Sequence, residues 1–149
     1  MKYFQSIIFL LAFFIAACAP NNPEQPVSNE DPQTPPQTGD YIPSPADGGL
    51  TRGEVFLDST DLLTLESYPL QFNLTLKGNL PTPCHQLRIA VNPPDTENKI
   101  VVDVYSLVNP GEVCIQVLDP FEVNYPLGSF PQGTYSLWIN GEMVAEFEA

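Results

Sequence analysis

The sequence predicts an all-β fold, an antiparallel β-sandwich of roughly seven or eight short strands built from about 100 residues. Three observations predict it. Across most of residues 49–149, apolar side chains recur at every second position. Leu70, Phe72, Leu74 and Leu76 alternate with Gln71, Asn73, Thr75 and Lys77, which is the pattern of a strand with one face in a core. Proline and glycine punctuate these runs at Gly78, Pro81, Pro93 and Pro94, Pro110 and Gly111, and Gly141, where they end strands or set turns. No stretch of about ten residues in this region keeps a helical period.

Taken in order, residues 55–58 and 62–66 read as two short strands and residues 70–77 as the first long one. Leu87, Ile89 and Val91 form the next inward face, followed by Ile100, Val102 and Val104 with Asp103 and Tyr105 opposite. Val113, Ile115 and Val117 share a face, and the same parity resumes after Asp119 and Pro120 with Phe121, Val123 and Tyr125. One interrupted strand or a crossing between sheets accounts for that break. Tyr135, Leu137 and Ile139 lead through Asn140 and Gly141 to Met143, Ala145 and Phe147. Asn-Gly between alternating runs is the strongest short-range hairpin signal. The stretch from Gly133 through Tyr135 and Trp138 to Gly141 resembles the end of bacterial immunoglobulin-like or fibronectin-like modules. That resemblance covers about nine residues and implies an immunoglobulin-like sandwich without carrying any catalytic residue.

The N-terminus decides where such a domain resides. Lys2 precedes an uncharged run from Ile7 to Ala17, far shorter than the ~20 apolar residues needed to cross a bilayer. A single basic residue, a short apolar core and a small-residue exit make an export signal. The exit, Ile15, Ala16, Ala17 and Cys18, resembles the lipobox of bacterial lipoproteins. The resemblance implies that residues 1–17 are removed and that Cys18 becomes the acylated first residue, held by two or three chains where one alone binds marginally. Ala19 in place of Asp implies forwarding to the outer membrane if the host has one. The expected location is the cell envelope, outside the cytoplasm.

Residues 18–48 hold eight prolines among polar residues, with Val27, Tyr41 and Ile42 as the only large apolar side chains. Too little can be buried there to offset the entropy of ordering, so a disordered linker is expected. Asp40, Tyr41 and Ile42 are candidates for docking onto the domain.

With Lys2 removed, four basic residues stand against 18 acidic ones, a formal charge of −14. That excludes nucleic acid as a partner, because phosphate binding needs clustered Lys and Arg. Cys84 and Cys114 remain after Cys18 is assigned, and an even pair in an exported chain reads as a disulfide. Both have the parity of the polar faces of their runs, which places the bridge at the surface rather than between the sheets.

Candidates for chemistry are sparse. Cys84, His85 and Cys114 offer soft metal ligands, but neighbours on a strand point to opposite faces, and no metal or cofactor is expected. Asp58, Asp61, Glu66 and Asp103 are loose acids without a pairing motif, and Asp95 and Glu97 lack the spacing of a helix-loop-helix calcium site. No nucleophile motif accompanies the single histidine. No residue is therefore expected to be catalytic. Trp138, with Tyr105 and Phe130 as neighbours, is a candidate binding surface for a protein or glycan of the envelope; the preferred alternative is that Trp138 packs under a loop or against the linker. The alternatives are a protease inhibitor presenting loops such as residues 125–132, and a metal-handling protein using Cys84, His85 and Cys114.

Overall fold

The computed structural model describes residues 38–149. Two short 3₁₀ turns, Thr38–Tyr41 and Pro45–Gly49, precede eight strands. These are β1 (Thr51–Gly53), β2 (Phe56–Leu65), β3 (Gln71–Leu80), β4 (Gln86–Val91), β5 (Lys99–Val108), β6 (Asp119–Gly128), β7 (Thr134–Ile139) and β8 (Glu142–Glu148). They form the two layers of a β-sandwich.

One sheet has three strands in the order β2, β3, β6, all antiparallel. The other has five, with β5 at its centre. Strand β4 pairs along one edge of β5 from Val102 to Leu107, and the opposite edge is shared by two strands. There β1 takes Ser106 to Val108 and β7 takes Lys99 to Val102. The β5–β7 pairing is parallel, the one departure from the expected antiparallel ladders. Its cause is the route of the chain: after β5 it crosses to the other sheet as β6 and returns, so β7 runs in the direction of β5.

The core lies where the alternation put it. Phe72, Leu74 and Leu76 of β3 are buried, as are Leu87 and Ile89 of β4 and Ile100, Val102 and Val104 of β5. Val123 of β6 and Tyr135, Leu137 and Ile139 of β7 complete the opposing faces. Tyr135 satisfies its hydroxyl by donating to the Pro131 carbonyl at 2.9 Å, which removes the cost of burying that polar group. Every buried side-chain nitrogen or oxygen among the described residues has a partner.

Four sequence expectations are corrected. Residues 55–58 and 62–66 are not two strands but one, β2, with an irregularity in register between Leu57 and Ser59. The extra residue, Asp58, bulges out, and there the backbone of β2 approaches β3 so closely that a Cβ on Gly78 would collide with the Phe56 carbonyl. Residues 113–117 form no strand, since none of them pairs with another strand, and their apolar side chains are exposed. Met143 does not share the inward face of Ala145 and Phe147. A register shift between Leu137 and Trp138 sets it opposite Trp138, where it is exposed. Residues 125–132 are not a free loop either, since Tyr125 to Gly128 lie within β6.

Residues 38–48, expected as the end of a disordered linker over 18–48, are instead built into the domain. Ser44 caps the second 3₁₀ turn and Asp47 closes a reciprocal capping box, the arrangement that satisfies otherwise unpaired N–H groups. The same Asp47 carboxylate receives Arg88 of β4 through Nε at 2.9 Å and Nη2 at 2.8 Å, with both side chains largely covered. The Arg88 hydrogen bonds and then the Ser44 N–H hold that carboxyl down at about 2. Tyr41 packs against the core cluster, as expected for a docking element, and burial raises its hydroxyl pKa. Residues 38–48 thus cover part of edge strand β4, an edge that would otherwise be free to pair with another chain. The signal and lipidation assignments, residues 1–17 and Cys18, and the linker up to residue 37 lie outside the described residues.

Candidate functional site

Two surfaces stand out. The first is the outer face of the five-stranded sheet. Tyr105 of β5 and Trp138 of β7 both project there, on the side away from the buried Val104 and Ile139. Each ring carries a cation on its face. The Arg52 guanidinium lies 3.8 Å from the Tyr105 centroid and the Lys99 ammonium 3.9 Å from that of Trp138, distances at which the ring quadrupole attracts charge. Arg52 is further held by Asp103 at 2.6 Å, and Trp138 donates its indole N–H to Ser136 Oγ at 3.1 Å. These stacked cations occupy the ring faces that a sugar would need.

Phe130 belongs elsewhere. It packs inward against Phe72, Tyr135 and Phe147, with centroids 5.8, 5.2 and 5.9 Å away. The expected grouping of Trp138, Tyr105 and Phe130 is therefore divided between the two faces. Two proline interruptions, Pro126 and Pro131, separate Phe130 from the runs whose parity could have placed it.

Beside Tyr105 a groove of about 720 Å³ follows the gap between β1 and β7. Its polar lining includes Arg52, Glu54, Asn92, Asp103 and Asn140. The gap exists because neither β1 nor β7 pairs with Val104. Asn140 fills it: Val104 N–H donates to Asn140 Oδ1 at 2.8 Å and Asn140 Nδ2 donates back to the Val104 carbonyl at 2.9 Å. The side-chain amide thereby imitates one residue of a strand, held in place by a backbone φ of 49° at the hairpin turn.

The second surface is the loop between β5 and β6. Cys84 and Cys114 form a disulfide with Cα atoms 6.0 Å apart and a separation of 30 positions in sequence. It ties that loop to the turn before β4, in keeping with a bridge at the surface. Val113 is 97% exposed and Ile115 70%, and Val117 and Leu118 are about half exposed. Between the loop and the body is a hollow of about 310 Å³ lined by Thr82, His85, Asn109 and Gln116 among others, so the loop arches clear of the sandwich. His85 bonds through Nδ1 with Thr82 Oγ1 at 2.8 Å and does not meet the cysteines as a ligand set.

The acids singled out from sequence are dispersed. Asp58 accepts from Asn79, Asp103 pairs with Arg52, and Asp95 accepts the N–H groups of Lys99 and then Glu97, which lower its pKa. No group of three or more metal-capable side chains occurs among the described residues. Sequence reasoning missed the exposed loop and the Asp47–Arg88 clamp. Ser44 followed three residues later by Asp47 is a readable capping signal for the latter; nothing in the alternation of residues 113–117 marked them as unpaired.

Residues 74–149, 76 of the 149, match the family model of the ORF11 beta-sandwich domain. No curated protein and no solved structure matches the chain.

Proposed function

We propose, from the premise that the chain belongs to the ORF11 beta-sandwich domain family, that it is an exported, lipid-anchored protein whose sandwich is a non-enzymatic binding module. On this reading Cys18 carries the anchor, the proline-rich segment spaces the domain from the membrane, and an immunoglobulin-like module meets another component of the envelope. The observation that carries the binding role is the disulfide-tied loop with Val113, Ile115, Val117 and Leu118 in solvent. A small domain has no folding reason to expose four aliphatic side chains together, and such exposure marks contact surfaces. The capped faces of Trp138 and Tyr105 favour a protein over a glycan as the partner.

Fractionation joined to crosslinking tests this. With a photoreactive side chain at position 115, the full chain in intact cells is expected in the membrane fraction with one discrete protein adduct. Replacement by Cys18→Ser should move it to the soluble fraction. An unchanged distribution overturns the anchor, and adducts from neither position 115 nor position 138 overturn the binding role.

A further inference from the structure

We propose that residues 112–118 are an inhibitory loop that lies in the substrate cleft of an endopeptidase with a small apolar specificity pocket, and that Ile115 is the side chain that fills the pocket. This deepens the binding-module reading and rests on it. From Glu112 to Ile115 the chain runs without turn, bend or strand pairing, and it bends at Gln116. In such a run alternate side chains point to opposite sides. Cys114 points back to the body, where Cys84 fixes it, and Val113 and Ile115 on either side of it point out. The Cys114 carbonyl accepts from Gln116 Nε2 at 3.1 Å and the Ile115 carbonyl from the Val117 N–H. Among the described residues the N–H groups of Cys114 and Ile115 have no main-chain partner and can pair with an edge of a cleft as substrates and added strands do.

Preorganisation is what converts such a segment from substrate to inhibitor. The disulfide at Cys114, the turn in which Glu112 N–H donates to the Asn109 carbonyl at 3.2 Å, and the contact from Val117 N–H to the Ile115 carbonyl at 3.1 Å hold the loop before any partner arrives. A segment already in its bound shape loses little freedom on binding. The hollow behind the loop sets it apart from the body, which gives the rims of a cleft room on both sides.

Charge selects among occupants. Glu112 and Asp119 bracket the apolar stretch in a chain of formal charge −13, which is repelled by anionic lipid and by a second copy of itself. A neutral or cationic protein cleft remains. The pocket class follows from the side chain: β-branched Ile115 suits the small apolar pocket of elastase-type enzymes and offers nothing to the acidic pocket of trypsin-type ones.

The test titrates the full chain, in detergent, against purified elastase-type and trypsin-type serine endopeptidases. The expected result is stoichiometric inhibition of the first and none of the second. Ile115→Asp should weaken inhibition at least about 30-fold, the loss typical of a central contact, with thermal unfolding unchanged because the side chain is exposed. Ile115→Arg should transfer inhibition to the trypsin-type enzyme. Absence of inhibition, multiple-turnover cleavage after Ile115, or failure of Ile115→Arg to gain the new target overturns the proposal. So does flotation of the Cys18→Ser chain with phosphatidylglycerol vesicles that is lost in Ile115→Asp. If inhibition is absent while position 115 still crosslinks to one envelope protein, the inhibitor reading falls and the binding module stands.

Discussion

Where β6 gives way to β7, Phe72, Phe130, Tyr135 and Phe147 pack ring against ring, with Phe72 and Phe147 only 4.5 Å apart between centroids. At the other end of the same strands, beyond Leu80 and Asp119 in the register of β3 and β6, Val113, Ile115, Val117 and Leu118 face solvent. Apolar content does not distinguish the two ends. The difference is whether a second sheet supplies a face to pack on. At the aromatic end β3, β7 and β8 converge, so each ring gains dispersion contacts and loses water. The loop end has no pairing strand and one covalent tie, and the disulfide substitutes for packing by restricting the chain.

The contrast predicts where stability resides. The largest effect is expected from Phe72→Ala, a loss of about 3 to 5 kcal/mol as a fully buried ring leaves a cavity, read from the midpoint of urea unfolding. A loss below about 1 kcal/mol would show that the aromatic cluster is no core at all. Replacing Cys84 and Cys114 together by Ser should cost about 3 to 4 kcal/mol on the chain-entropy account, while far-ultraviolet circular dichroism keeps its β signature. If the spectrum collapsed, the loop end would be as integral to folding as the aromatic end. Smallest of all, Val113→Ser combined with Ile115→Ser should change stability by no more than about 0.5 kcal/mol. A clear destabilisation in the same urea measurement would mean that these side chains are buried in solution.

The fold was legible wherever a period-two run had a partner to satisfy it. Leu74 and Leu76, Ile100 and Val102, and Leu137 and Ile139 were placed inward by parity alone, and the bridge between Cys84 and Cys114 followed from exclusion of other roles. Parity failed where its premise failed. Val113, Ile115 and Val117 alternate as well as any strand, yet alternation reports a residue's side and not whether another strand is present. At Asp58 and at Trp138 the register slips by one residue, which no local pattern records, and so alternation alone divides β2 into two strands and turns Met143 inward. The grouping of Trp138, Tyr105 and Phe130 was half legible: Trp138 and Tyr105 are on one outer face, but their ring faces are taken by Lys99 and Arg52, partners that lie 39 and 53 positions away and leave no trace in neighbouring sequence.

The amide of Asn140 completes the five-stranded sheet on the edge of β5 that β1 and β7 share, at a point neither of them reaches. Continuity of the ladder across Val104 therefore depends on one side chain and on the turn that aims it. Shortening that side chain would leave both peptide groups to compete for solvent, and the seam between β1 and β7 would become the place where the sheet breathes first.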